Sequence, residues 1–190
     1  MAKIRSRLLV VDASIASAAG DVSTHPTSRR CRDFLLAIRE ICHQIVMTAP
    51  IQQEWDKHQS RFARTWRLSM LAKKKLKILE SHAQRSLEQR FSRVVIDPFV
   101  HAIMEKDRCL VEAALLSEKR IASLDDSVRT HFRNYRDSLP ELRLICWVNP
   151  GATDEDLCDW LRAGAPIGSD PFHSAHAAIP VVVVSACLSR

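Results

Sequence analysis

The sequence predicts an α/β protein, a three-layer sandwich in which a central twisted parallel sheet is flanked by helices. The apolar run Leu8–Val11 is too short for a helix and too continuous for a half-exposed strand, as is typical of a central parallel strand. Amphipathic segments alternate with short β-prone runs, which favours crossover helices. The 190 residues are 46% hydrophobic with only four Gly, which argues against disorder and against a turn-rich all-β fold.

In the first half of the chain, each predicted element follows from a local pattern. After the strand Leu8–Val11, the polar residues 21–30 predict a loop, and Thr27 or Ser28 is the predicted cap of an amphipathic helix over 31–42. Residues 43–48 predict a second strand. Pro50 then occupies a first-turn position of a new helix, which continues into a basic helical stretch at 57–93.

In the second half, Asp97 and Pro98 predict a helix to about residue 106, and Asp107 is predicted to open a separate, buried helix. Residues 119–124 predict a third strand, 127–135 a helix and 142–148 a fourth strand. A last helix, with Thr153 as its cap, is predicted to end at Gly164. The tail 165–190 contains four consecutive valines, 181–184, and is interpreted as an edge strand or a partner-binding segment.

Charge is distributed unevenly along the chain. Residues 57–93 contain 11 Lys and Arg against two acids, a formal charge of +9, so the remaining residues carry −3 of the net +6. Such a segment is an electrostatic footprint for a polyanion, although a solvated helix face has the same composition. No apolar stretch approaches the ~20 residues that span a bilayer, and the amino terminus lacks a signal-peptide core, so we expect no membrane partner and a cytoplasmic location.

Four acids fall at predicted strand ends or at the starts of the helices that face them. They are Asp12, Glu54, Asp107 and Asp125. Ligands of open α/β sheets bind at the carboxyl ends of the strands, where these acids are expected to meet. For Asp12 and Asp107, capping the following helix is the alternative role. Asp126 neighbours Asp125, and because strand side chains alternate, only one of the two can face the pocket; the Ser-x-Asp pattern favours Asp125.

In this order and context, the acids resemble those of the PIN domain family of metal-dependent nucleases. The matching pieces are Val10-Val11-Asp12-Ala13-Ser14, residues 48–54 ending in Glu54, residues 107–115 starting with Asp107, and Ser123-Leu124-Asp125. The resemblance covers about residues 8–150. It implies a PIN-like nuclease domain at 1–150, with 151–190 as a C-terminal helix and tail extension.

The resemblance implies that the four carboxylates gather in one acidic pocket as catalytic and metal-binding residues. Crowded carboxylates raise one another's pKa, so a divalent cation is expected there, and hard oxygen ligands favour Mg²⁺ or Mn²⁺. Ser14, Ser123 and Asp126 are the expected supporting residues. An acidic pocket repels a polyanion, so flanking cations are expected to hold the nucleic acid. The candidates are Arg61, Arg64, Arg67, Lys73, Lys74 and Lys75.

The expected activity is therefore a metal-dependent endonuclease that hydrolyses phosphodiester bonds in single-stranded RNA, the family's usual substrate. The alternative is a catalytically silent PIN-like module that binds nucleic acid or protein. A protein partner such as an antitoxin, as in toxin-type PIN proteins, and a homodimer both remain open. An aspartyl-phosphate phosphatase would need a second Asp two residues after Asp12, where the chain has Ser14.

Overall fold

The computed structural model of the protein describes residues 6–20, 25–80, 85–153 and 156–168. Within these ranges, five parallel strands form one sheet. The strands are β1 (Leu8–Val11), β2 (Gln44–Met47), β3 (Leu76–Ile78), β4 (Arg120–Ala122) and β5 (Cys146–Val148). The helices are α1 (Ala13–Ala18), α2 (Pro26–Glu40), α3 (Ala49–His58), α4 (Arg61–Ala72), α5 (Arg85–Val94), α6 (Pro98–Leu115), α7 (Asp126–Asn134) and α8 (Leu157–Arg162), with a 3-10 helix at Pro140–Leu144.

The strand order β3-β2-β1-β4-β5 divides the chain into two halves that wind outward from β1. The first half moves from β1 to β2 and β3, and the second crosses back to β4 and continues to β5. Right-handed crossovers then place α1 to α4 on one face and α5 to α7 on the other. In agreement, α1 contacts α2, α3 and α4, whereas α6 contacts α7, β1 and β4. The predicted α/β three-layer architecture is confirmed.

The hydrophobic core lies on both sides of β1. Leu9, Val10 and Val11 are at most 1% exposed, as a central strand covered by helices on both faces requires. All four tryptophans are also buried. The predicted first strand therefore has the bounds and the burial that its apolar run indicated.

One strand lies inside the segment that was predicted to be wholly helical. Helix α4 ends at Ala72, Lys74 adopts a positive φ of 56°, and β3 then pairs in parallel with β2. The sheet therefore has five strands rather than the predicted four. The strand was missed because β3 is at the edge of the sheet, where lysines are tolerated and even protect against unwanted pairing.

Helix α6 runs without a break through the position where two helices were predicted. It begins at Pro98, capped by Asp97 as expected, and Asp107 lies in its interior. The prediction that Asp107 opens a new helix is therefore wrong. No Pro or Gly interrupts residues 99–115, so nothing in the sequence forces the helix to end at the polar residues around Asp107.

Three other predicted bounds are corrected. Helix α2 begins at Pro26 with His25 as its cap, so residues 26–30 are helical rather than part of a loop. Residues 142–144 belong to the 3-10 helix, and only 146–148 form β5. Asp156, not Thr153, caps α8. The tail, predicted as an edge strand or partner-binding segment, lies mostly outside the described residues, since 169–190 are not among them.

Helix α8 packs into the same core as the preceding 150 residues. Trp160 and Leu161 are fully buried, and the buried His43 ring holds the Leu161 carbonyl oxygen 2.9 Å from its Nε2 atom. Helix α8 therefore belongs to the same packed unit as the sheet. None of the helices within the described ranges is long and apolar enough to span a membrane.

Candidate functional site

The candidate site lies where the direction of winding reverses, between β1 and β4. These neighbouring strands lead to crossovers on opposite faces, which leaves a crevice at their carboxyl ends. Asp12 follows β1 directly, and its backbone N–H donates to the Ala122 carbonyl oxygen at the end of β4, 2.9 Å away. The first of the four acids is thus fixed at the switch point of the sheet.

Two hydroxyl groups hold the Asp12 carboxylate. Ser123 Oγ donates to Asp12 Oδ2 over 2.9 Å, and Ser14 Oγ donates to the same oxygen. Asp12 occupies the cap position of α1 but makes no side-chain bond to the helix backbone, so its carboxylate does not serve as a cap. The two predicted supporting serines therefore contact the predicted acid.

The two serines also tie the Asp12 carboxylate to the loop after β4. Ser14 Oγ accepts from the Leu124 N–H at 3.2 Å, and Ser123 Oγ accepts from the Asp125 N–H at 3.2 Å. These bonds run from Asp12 through hydroxyl groups to the backbone that carries Asp125. The positions of the two acids are consequently linked.

Asp125 and Asp126 have different environments, although neither lies in a strand: β4 ends at Ala122, and the two acids are the cap and the first residue of α7. Asp125 lines the pocket and caps α7, accepting from the Val128 N–H at 2.9 Å with one oxygen, Oδ1. Asp126 instead accepts from Asn149 Nδ2 at 2.6 Å and pairs with Arg129 at 3.2 Å. Asp126 is not among the pocket residues, so its expected supporting role at the site has no contact in the structure.

Glu54 reaches the pocket from α3. The next residue, Trp55, anchors this helix to β1. The buried Trp55 Nε1 donates to the Val11 carbonyl oxygen over 2.8 Å. The Glu54 carboxylate, 43% exposed, pairs with Lys57 at 2.8 Å and contacts His58 at 3.4 Å. The hydrogen bond from Lys57 holds the pKa of Glu54 below its ordinary value.

Asp107 enters from the opposite side of the sheet, on α6. Burial, followed by the charges of Asp12, Asp125 and Glu54, raises the pKa of its carboxyl group from 3.8 to about 6, against the charge of Lys106, which lowers it. Crowded carboxylates in a partly buried cleft produce this effect. The raised pKa of Asp107 thus follows from its burial and from the three neighbouring carboxylates.

A single cleft of about 400 Å³ receives all four predicted acids. Its remaining lining combines small and apolar side chains with Ser14, Ser17, Gln53, His58 and one cationic side chain, Lys106. The apolar part of the lining consists of Ala13, Pro50, Ile51, Cys109 and Leu110. Burial, followed by the charges of Asp107 and Asp12, raises the pKa of the Cys109 thiol to about 12, so this thiol stays protonated near neutral pH.

The donor set suits a hard divalent cation, although the side chains do not surround one as they stand. Among the described residues, no three His, Cys, Asp or Glu side chains form a group that could hold a metal ion. Carboxylate and hydroxyl oxygens are nevertheless the ligands that Mg²⁺ and Mn²⁺ prefer. Glu54 has the most freedom to adjust, because exposed ion pairs such as its pair with Lys57 are worth only about 0–1 kcal/mol. Asp12, Glu54, Asp107 and Asp125 therefore fit a cation after a side-chain rearrangement.

The predicted nucleic-acid-binding residues are divided between the two ends of α4. Arg61 and Arg64 are exposed near its start. There, the Ser60 N–H donates to the Ala16 carbonyl oxygen. The preceding helix, α3, ends at the pocket residue His58. Arg67 is paired with Asp56. Only the amino-terminal end of α4 thus lies on the side of the pocket.

Lys73, Lys74 and Lys75 lie at the amino edge of the sheet, opposite to the pocket. They precede the parallel strand β3, and Lys75 Nζ donates over 3.2 Å to the carbonyl oxygen of Cys42, which precedes β2. Since α4 has 12 residues, about 18 Å of helix separates them from Arg61. The expectation that these lysines flank the acidic pocket is therefore wrong.

Sequence reasoning missed three residues of the site: Trp55, His58 and Lys106. His58 follows Glu54 by one helical turn, a spacing that could have revealed it. Lys106 was missed because a helix was predicted to end at about this residue. No pattern in the sequence indicates the hydrogen bond of Trp55.

No protein-family model matches the chain, and no curated protein matches it significantly. Fold and site together define an α/β protein with an acid-lined cleft at the switch point of a parallel sheet.

Proposed function

We propose that the protein is a metal-dependent endonuclease of the PIN type that cleaves single-stranded RNA. The observation that carries this proposal is the convergence of Asp12, Glu54, Asp107 and Asp125, from four different elements, on one cleft. Within the described residues, Glu54 is the one acid of the four with an ion pair, so the carboxylates of Asp12, Asp107 and Asp125 repel one another in the cleft unless a cation binds there. Binding of Mg²⁺ or Mn²⁺ in the cleft would neutralise this repulsion.

Each residue has a role that its contacts support. Asp12, fixed by Ser14 and Ser123, is the rigid ligand, and Asp107 is the ligand whose charged form is favoured by a bound cation. When bound, Mg²⁺ or Mn²⁺ would lower the pKa of a water molecule to give a nucleophile near neutral pH and would stabilise charge on the scissile phosphate. Asp125 keeps one oxygen for the pocket, since the other caps α7.

The test is cleavage of a short single-stranded RNA, labelled at one end, by wild type and Asp12→Asn in Mn²⁺ and in EDTA. Wild type should cut internally only with the metal, and the variant should lose at least about 100-fold in rate while keeping its thermal stability. Asp137→Asn is the matched control, because Asp137 is exposed and its partner is Arg143 on the surface. Full cleavage by Asp12→Asn, or equal cleavage in EDTA, would refute the proposal. A single-stranded DNA of the same sequence tests the preference for RNA.

A binding module without catalysis is the second candidate, and the pairing of Glu54 with Lys57 favours it. In that case, calorimetry would detect RNA binding but no Mn²⁺ binding, and no substrate would be cut. Mn²⁺ binding that is lost in Asp107→Asn would instead support the nuclease.

A further inference from the structure

Lys106 is a cation at the acidic cleft that has no partner among the described residues. It lines the cleft, is exposed, and precedes Asp107 on α6. No hydrogen bond or ion pair of its ammonium group is present in the described part of the chain, although Lys106 lines the same cleft as Asp107 and Glu54. The ammonium group is thus close enough to act on the carboxylates without being neutralised by one of them.

The other lysines and arginines of this region have partners or lie elsewhere. Lys57 contacts Glu54, and Arg67 is paired with Asp56. The lysines at 73–75 are at the opposite edge of the sheet. Among the described residues, Lys106 is therefore the one lysine or arginine that lines the cleft. Its ammonium group has three N–H donors that can bind a ligand.

We propose that the Lys106 ammonium group binds a backbone phosphate of single-stranded RNA at the mouth of the cleft. This inference rests on the proposed function for the identity of the polyanion. A cleft with four carboxylates repels phosphate, so an adjacent point charge is needed to hold the backbone next to the acids. Because phosphates are the same at every nucleotide, this contact adds affinity and register but no sequence preference.

The experiment measures binding of a fluorescent 12-nucleotide RNA by anisotropy in Mg²⁺ over a range of KCl concentrations, with Asp12→Asn as the cleavage-blocked parent. The variants Lys106→Met, Lys106→Arg and Lys73→Met are each added to this parent. Loss of one phosphate contact lowers the slope of log K against log salt concentration by about 0.7 for a single strand. We expect this change for Lys106→Met and the parental slope for Lys106→Arg and Lys73→Met.

Three results would overturn the inference: an unchanged slope in Lys106→Met, the same loss in Lys73→Met, or no measurable RNA binding by the parent at low salt. Each variant is first checked for parental thermal stability, and Lys106→Arg shows whether the charge rather than the fold is responsible. Cleavage by wild-type protein is assayed separately. Cleavage with an unchanged Lys106→Met slope rejects the phosphate contact alone, whereas a reduced slope without wild-type cleavage rejects the nuclease and retains the contact.

Discussion

The indole N–H of Trp55 donates a 2.8 Å hydrogen bond to the carbonyl oxygen of Val11, the residue before Asp12. One bond therefore connects the element that carries Glu54 to the strand that carries Asp12. Trp55→Phe removes it and leaves a buried carbonyl oxygen without a partner, which should lower the free energy of unfolding by about 1–3 kcal/mol. Because α3 loses its anchor, Mn²⁺ affinity measured by calorimetry should fall as well.

Trp66→Phe is the matched control for this prediction. Trp66 Nε1 donates to the Leu35 carbonyl oxygen over 2.7 Å and is equally buried; its ring stacks on that of Trp55 but does not line the cleft. We expect chemical denaturation to show a similar decrease in the free energy of unfolding, and we expect no loss of Mn²⁺ affinity. Equal effects of both substitutions on Mn²⁺ affinity would show that Trp55 contributes only to stability.

Asp107→Asn should stabilise the metal-free protein near neutral pH. Its pKa rises from 3.8 in the unfolded reference to about 6 in the fold, so between these values the native state binds more protons than the unfolded chain. The free energy of unfolding contributed by this group then falls as pH rises through that window. After discounting for partial exposure, removing the charge should recover about 1–2 kcal/mol at pH 7.5.

Thermal unfolding in EDTA at pH 7.5 and at pH 4 measures this effect. The gain of Asp107→Asn should be large at pH 7.5 and small at pH 4, while the surface variant Asp137→Asn should show no gain at pH 7.5. Added Mn²⁺ should stabilise wild type but not Asp107→Asn. A lower melting temperature for Asp107→Asn in EDTA at pH 7.5 would contradict the prediction that the charged Asp107 carboxylate destabilises the metal-free protein.

Ser123→Ala tests the link between Asp12 and Asp125. The substitution removes a donor to Asp12 Oδ2 and the acceptor of the Asp125 N–H. Loss of such supporting bonds typically costs about 10–100-fold in metal affinity, so Mn²⁺ binding should weaken by at least 10-fold. Ser117→Ala, which removes a hydroxyl bonded only within α6 and its end, should leave binding unchanged.

The two ends of α4 should differ in RNA binding. Arg61→Gln with Arg64→Gln removes two exposed charges on the side of the pocket and should reduce the salt slope of RNA binding by up to about 1.4. Lys73→Gln with Lys74→Gln removes the same charge at the opposite edge and should leave the slope unchanged. Equal slopes for both double variants in anisotropy titrations would contradict this division.

The sequence predicts those parts of the fold whose signals are local. The apolar run of β1 and the Asp97-Pro98 start of α6 follow from burial and from capping chemistry, and both have their predicted positions. Strand β3 could not be predicted because an edge strand is defined by its partner β2, not by its own three residues.

The four acids could be predicted as a set because parallel strands deliver their carboxyl ends to one edge. The Ser-x-Asp pattern also favoured Asp125 over Asp126 for the cleft, where Asp125 lies. The hydrogen bond between Asp126 and Asn149 could not be predicted, because it joins the start of α7 to the residue after β5. The sequence also could not show whether the lysines at 73–75 lie near the cleft, because this depends on where α4 ends.

The unbroken course of α6 makes the chain sensitive to changes of length at one place. Each residue of an α-helix turns the following ones by about 100°, so a single insertion between residues 99 and 106 would rotate either the carboxylate of Asp107 or the buried face that follows it out of position. Surface loops tolerate such changes. In this molecule, the spacing between Pro98 and Asp107 is therefore as much a part of the site as the acid itself.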